Sequence, residues 1–304
     1  MNRREFLLAA GGASAARAAD GALFEPRQLD FHFHSGMERD APLSEWLDVA
    51  VAGGRRCFLM VDHLELYRPG ERRHRENYAG DPEGRARFVH DVERMKQRRD
   101  ALVFSGWEVF EGELDTGIEW DAMRQVEAIG WHISHLRGKR PPDGALLVRR
   151  ARQIRELQKQ LPVPMILLHP FTPRFSGLRQ GRDPQTVAAA DYQYFRGDSQ
   201  KELIDLAGGA PLYIELNHSS MRGPWENPVL RDALVAAIRP LAEAGLQFTA
   251  GSDNHTLASV RGEYRPEIFC DACGIRAPQL NGIVRELLAR RAIRDLTRDT
   301  RRGR

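Results

Sequence analysis

At 304 residues the chain has room for one large α/β domain or two small ones. Its 45 basic and 42 acidic residues leave a formal charge of only +3, which supplies no electrostatic footprint for nucleic acid. No stretch approaches the ~20 apolar residues of a membrane-spanning helix, and no Ser/Gly, Pro-rich or like-charge tract marks a linker, so one domain is expected.

The first segment stands apart. Asn2-Arg3-Arg4-Glu5-Phe6-Leu7-Leu8 resembles the twin-arginine export signal, with a short Ala/Gly-rich stretch and a small-x-small cleavage site at Ala16-Arg17-Ala18 behind it. Residues 1–18 are therefore expected to be a signal peptide read by the export machinery, and the mature protein to be soluble and periplasmic or secreted. Removing three arginines and one glutamate lowers the formal charge from +3 to +1.

Residues 19–304 follow as one domain. Seven β-prone runs are expected as strands: Leu29–Phe33, Arg56–Val61, Leu102–Trp107, Val126–Ile133, Pro164–Leu168, Leu212–Leu216 and Gln247–Ala250. Between them, apolar residues at three-and-four spacing predict helices over Ser44–Ala52, Glu83–Arg99, Gly144–Leu161, Ser199–Ala207 and Asn227–Ala244. Ser44 is the expected N-cap of the first, and Gly53 and Gly245 are expected helix stops. Polar loops over Leu64–Pro82 and Pro170–Tyr194 are rich in arginine, and a helical extension is expected over residues 256–304. Alternating β and α elements with buried strands imply a parallel sheet.

Chemistry-bearing residues recur where the strands end. His32 and His34, His63, Glu108, His132, His169, and Asp253 with His255 each close or follow an apolar run. In a closed parallel barrel such positions converge on one mouth, whereas an open sheet gathers its ligands at one switch point. The wide distribution therefore favours a closed α/β barrel of the TIM-barrel type, with seven strands by the count above. Imidazoles and carboxylates together suit zinc, iron or manganese. Asp30, His32 and His34 alternate, so all three are expected to face inward, with Asp30 orienting a ring from behind. Asp253-Asn254-His255 is expected to repeat this arrangement on the seventh strand. Cys57 reads as core, and Cys270 and Cys273 as a disulfide or free thiols, because no second cysteine pair completes a zinc knuckle.

On these motifs the chain resembles the PHP family, named for its polymerase and histidinol phosphatase members. Asp30-Phe31-His32-Phe33-His34 is similar to the first motif, Val61-Asp62-His63 to the second with Val for Thr, and Gly106-Trp107-Glu108 to the metal-bridging glutamate. His132 resembles the fourth-motif histidine, with His135 as competitor; His169-Pro170 and Gly251-Ser252-Asp253-Asn254-His255 resemble the last two. The resemblance covers residues 29–255. It implies a distorted seven-stranded (β/α)7 barrel and two to three divalent metals (Fe, Mn or Zn) held by about nine ligands, with Asp40 completing the set.

The implied reaction is hydrolysis of a phosphate ester by a metal-bridging hydroxide held by Glu108, with Asp253 binding metal and handling protons. The substrate would be a small phosphorylated molecule, for which Arg174, Arg222 and Arg261 are candidate binders. Two other readings stay open: a metal-dependent amide or ester hydrolase, favoured if an apolar pocket surrounds Trp107 and Trp131, and a non-catalytic metal-binding domain.

Overall fold

Short runs rich in Val, Ile, Leu and Phe can hide both faces only in a parallel sheet covered by helices. The computed structural model describes residues 23–34, 41–64, 82–110, 118–132, 144–161, 163–171, 183–192, 197–208 and 211–302. In chain order these form β1 (Leu29–His34), α1 (Leu43–Ala52), β2 (Cys57–His63), α2 (Pro82–Met95), β3 (Leu102–Phe110), α3 (Trp120–Met123) and β4 (Ala128–His132). They continue with α4 (Gly144–Gln160), β5 (Met165–Leu168), α5 (Pro184–Tyr192), α6 (Asp198–Gly208), β6 (Leu212–Asn217), α7 (His218–Glu226), α8 (Pro228–Glu243) and β7 (Phe248–Gly251). Past the last strand come α9 (Leu257–Val260), α10 (Glu267–Cys273), α11 (Ala277–Leu280) and α12 (Gly282–Arg302). The expected signal over 1–18, and Asp40, His135 and Arg174, lie outside the described residues.

The seven strands pair in parallel in sequence order, each with the next. β1 also meets the end of β7 through a bridge between Phe33 and Asn254 and an Asp253 N–H to His32 carbonyl bond of 2.8 Å. The sheet is thus a nearly closed α/β barrel in a single TIM-barrel-like domain. Phe33 packs edge-on to Trp46 of α1 and to Phe58 of β2, at 6.1 and 5.2 Å between ring centroids. Each such buried aromatic contributes on the order of 1.5–3 kcal/mol. None of the described helices is long and apolar enough to cross a membrane.

Several local expectations change. The first helix begins at Leu43 with Pro42 in the cap position, so Ser44 lies inside it; the Pro42 carbonyl already accepts from Glu45 and Trp46. Pro184–Tyr192 is helical where a loop was expected, opening on an Asp183 carboxylate that accepts from the Thr186 N–H at 3.0 Å. Cys270 and Cys273 are free and buried on α10, and burial pushes the Cys273 thiol up to about 12.

β1 carries the most consequential change. Its register with β2 slips between Asp30 and Phe33, so Asp30 lies opposite Phe58 and His34 opposite Val61. Phe58 and Val61 are three residues apart and point to opposite faces of β2, so Asp30 and His34 do too. Asp30 therefore does not sit behind a histidine ring. Its carboxylate accepts from Arg55 Nη1 at 3.1 Å and from the Ser252 N–H at 2.8 Å, which pins β1 to β7.

Candidate metal centre

Glu108 is the hub. It lies on the inward-facing stripe of β3, where Gly106, Glu108 and Phe110 alternate with outward Trp107 and Val109. Its Oε2 lies 3.2 Å from His32 Nε2 and 3.3 Å from both His34 Nε2 and His63 Nε2. Its Oε1 lies 3.3 Å from His169 Nε2 and 3.8 Å from His132 Nε2. Asp253 faces it across the mouth, with Oδ1 at 3.0 Å from His255 Nε2, 3.3 Å from His34 Nε2 and 3.5 Å from His32 Nε2. Phe110 stacks on both His63 and His132, at 5.5 and 5.0 Å.

Eight of the nine expected ligands, His32, His34, His63, Glu108, His132, His169, Asp253 and His255, thus meet at the carboxyl ends of the strands. The backbone bends to bring them there. His169 and Asp253 have φ of 57° and 55°, left-handed values that cost non-glycine residues about 1–3 kcal/mol each. For the same reason Asp253-Asn254-His255 does not continue β7, which ends at Gly251. The His169 N–H donates to Glu215 Oε2 at 2.6 Å, and the Asp253 N–H to the His32 carbonyl at 2.8 Å, so both strained residues are held by bonds.

Glu215 and Asn217 of β6 were not among the expected site residues, yet both belong to the cluster. Glu215 Oε1 lies 2.7 Å from His32 Nδ1 and also accepts from Asn217 Nδ2 at 3.1 Å. Asn217 uses its Oδ1 to cap α7 at the Ser220 N–H, which fixes its amide nitrogen toward the site, 3.3 Å from Asp253 Oδ2. Gly251 makes this approach possible: a Cβ there would stand 2.4 Å from the His32 Cβ and 2.7 Å from Glu215 Oε1.

The charges are strongly coupled. Burial disfavours the charged form of Glu108, but His63 and His32 outweigh it and hold the carboxyl well below its usual range. Asp253 is held well below its ordinary value against burial by His32 and His169. Burial opposes a proton on His32, yet Glu215, Glu108 and Asp253 raise its pKa well above the histidine norm; His169 is raised against burial by Asp253 and Glu108. His255 is lowered by burial and by His34. Protons here do what a cation would do.

A divalent ion fits this donor set. His34/His63/His255, His32/Glu108/His169 and His32/His34/Asp253 each bring ligand atoms within 4.8 Å of one another. His32 Nε2 and His34 Nε2 face each other at 3.1 Å, and Glu108 Oε1 is buried without an aligned hydrogen bond among the described residues. Lone pairs converging in this way suit a metal better than each other.

The arginines stand differently. Arg222 is 56% exposed, 3.9 Å from Glu226, and Arg261 is 60% exposed, 3.9 Å from Glu45. Trp107 is buried against Phe88 of α2 at 4.7 Å between centroids, and its indole N–H donates to the Ala122 carbonyl. Trp131 alternates with inward His132 and is also fully buried. Neither forms an apolar wall at the mouth.

No protein-family model matches the chain, and no curated protein sequence does. Among solved structures it is similar to the histidinol phosphate phosphatase of Lactococcus lactis subsp. lactis, crystallised with zinc, L-histidinol and phosphate (13% identity, TM-score 0.48, 82% of this chain and 95% of that one). It is also similar to a provisionally named histidinol phosphatase from Listeria monocytogenes (15%, 0.49, 78% and 98%) and to a chain of an archaeal ribonuclease P bound to mature tRNA (11%, 0.48, 84% and 89%).

Proposed function

We propose that the protein is an exported, multinuclear metal-dependent phosphoesterase of the PHP type. The observation that carries the reading is the convergence of six imidazoles on two carboxylates at the barrel mouth, five of them on Glu108 and His255 on Asp253. His34, His63 and His255 would hold one ion, His32, Glu108 and His169 another, and His32, His34 and Asp253 a shared or third one. When bound, divalent ions of iron, manganese or zinc supply a lowered pKa for water and offset phosphoryl charge.

The chain's own residues do the rest. Glu108 keeps the imidazole donors together by contacting five rings with its two oxygens. Asp253, the more accessible carboxylate at 15% side-chain exposure, is ionised at neutral pH by its histidine neighbours and can take a proton at Oδ1 from attacking water. Arg222, Arg261 and Arg174 are the cations offered to the phosphate; among the described residues the first two hold long, exposed ion pairs, so reorienting them sacrifices little. The outward burial of Trp107 and Trp131 weighs against an amide or ester substrate recognised through them.

Elemental analysis after reconstitution should give about two to three equivalents of transition metal, and a phosphomonoester should be turned over with inorganic phosphate as competitive inhibitor. Less than one equivalent overturns the metal reading. Absence of inhibition by millimolar phosphate transfers the assignment to amide or ester hydrolysis. Export is tested separately: replacing Arg3 and Arg4 with lysine should trap the precursor in the cytoplasm, and continued secretion overturns the twin-arginine route.

A further inference from the structure

A buried carboxylate must find partners for both of its oxygens, and the partners it takes show what it holds in place. Glu215 is fully buried on β6, and its two oxygens reach different strands. Oε1 meets His32 Nδ1 on β1 at 2.7 Å; Oε2 accepts the His169 N–H after β5 at 2.6 Å. Asn217 Nδ2 joins Glu215 Oε1 to Asp253 Oδ2 beyond β7. One side chain therefore ties three strands directly and a fourth through its neighbour, each contact falling on a residue of the cluster. Gly251 leaves the space that this carboxylate occupies.

We propose that Glu215 is a positioning residue of the metal centre: it fixes the His32 ring so that Nε2 faces the cluster and locks His169 in its left-handed conformation. The inference rests on the metal-centre reading above. An imidazole that donates Nδ1–H to a carboxylate keeps its lone pair on Nε2, the atom 3.2 Å from Glu108. Glutamine at 215 cannot serve both partners in the same way. If its amide oxygen accepts from the His169 N–H, its NH2 faces His32 Nδ1, which must then accept, and the proton moves to Nε2.

The test compares the parent with Glu215→Gln, using zinc as the probe metal in competition with a chromophoric chelator. The variant should bind zinc roughly tenfold to a hundredfold more weakly, the usual penalty for losing such a partner. A parent that binds and a variant within about threefold of it would overturn the positioning role while leaving the metal centre intact. A parent that takes up no zinc overturns the metal-centre reading and this inference with it. Nitrogen-15 spectra of the zinc-loaded parent add a readout that needs no variant. They should show His32 protonated at Nδ1 and ligating through Nε2; the opposite tautomer overturns the inference even if Glu215→Gln fails to fold.

Discussion

The two ends of the barrel bury carboxylates in opposite ways. At the base, Glu127, only 3% exposed, accepts from Arg291 Nη2 at 3.1 Å, Arg294 Nη2 at 2.6 Å and the Ser105 N–H at 3.1 Å, with Lys96 Nζ at 2.8 Å. Arg291 also lies over Phe104 at 4.5 Å and donates to the Val103 carbonyl. Burial alone would raise the Glu127 pKa, but Arg291 and Lys96 prevail and lower it. At the mouth, Glu108 and Asp253 meet imidazoles instead. Guanidinium and ammonium groups are permanent counter-charges at neutral pH, whereas an imidazole can surrender its proton. The base is therefore neutralised once and for all, and the mouth only until a cation takes over. In TIM-like barrels the base end serves stability and the mouth end chemistry.

The contrast is broken most severely at Glu108. Glu108→Ala should abolish turnover at full metal loading while costing the metal-free protein less unfolding free energy than loss of Glu127 does, since the imidazoles left behind can give up their protons. Activity within about tenfold of the parent, a barrier change of only ~1.4 kcal/mol, would remove the hub role. Glu127→Ala should do the reverse. It strands buried cations, so denaturant unfolding should show a loss of about 3 kcal/mol, at the low end for broken buried pairs because Arg294 is half-exposed. Metal content should not change.

The pH dependence sharpens the same comparison. The folded-state pKa values of His32 and His169 are raised, so their stabilisation of the metal-free protein is fully present below about pH 6.5 and is lost as pH rises through the folded values. Zinc then has fewer protons to displace. The rise in Tm on adding zinc should accordingly grow from about pH 7 to pH 9. That window lies above the range in which the lowered pKa values of His255 and His218 matter, the latter about 4. A zinc-induced shift that shrinks with pH would contradict the charge pattern of the mouth. The smallest effect is expected at Arg261: Arg261→Met should weaken phosphate inhibition by roughly threefold to tenfold, tempered by its exposure. An unchanged inhibition constant removes it from the site.

Much of this was legible in the sequence because strands announce themselves by apolar runs and ligands by position. All seven strands lie within two residues of their expected starts, and the gathering of the expected ligand residues at the mouth follows from their places at strand ends. Glu215 and Asn217 escaped because a lone glutamate in an apolar run reads as noise. A signal was nonetheless present: the sixth strand was the run with no ligand assigned, and Glu-x-Asn has the same i, i+2 spacing as His32 and His34. The inward reading of Asp30 failed because a bulge leaves no mark in hydrophobic alternation, and the left-handed turns at His169 and Asp253 fall on residue types that adopt them more often than most, yet too seldom for the residue type alone to mark them. The base cluster joins Glu127 to Arg291 across 164 positions, which no local pattern encodes.

The seam between β1 and β7 sets an order of events. Asp30 and Ser252 stand 222 positions apart, and joining ends so distant in an otherwise open chain costs about 5 kcal/mol of loop entropy. Pairing of the intervening strands shortens that span, so the ring should shut after its neighbours have zipped together. His32 and His34 on the first strand wait for Asp253 and His255 beyond the last. Until closure the chain offers isolated imidazole pairs; afterwards it offers a complete cage. Discrimination among competing metals would thus be exercised at the final stage of folding.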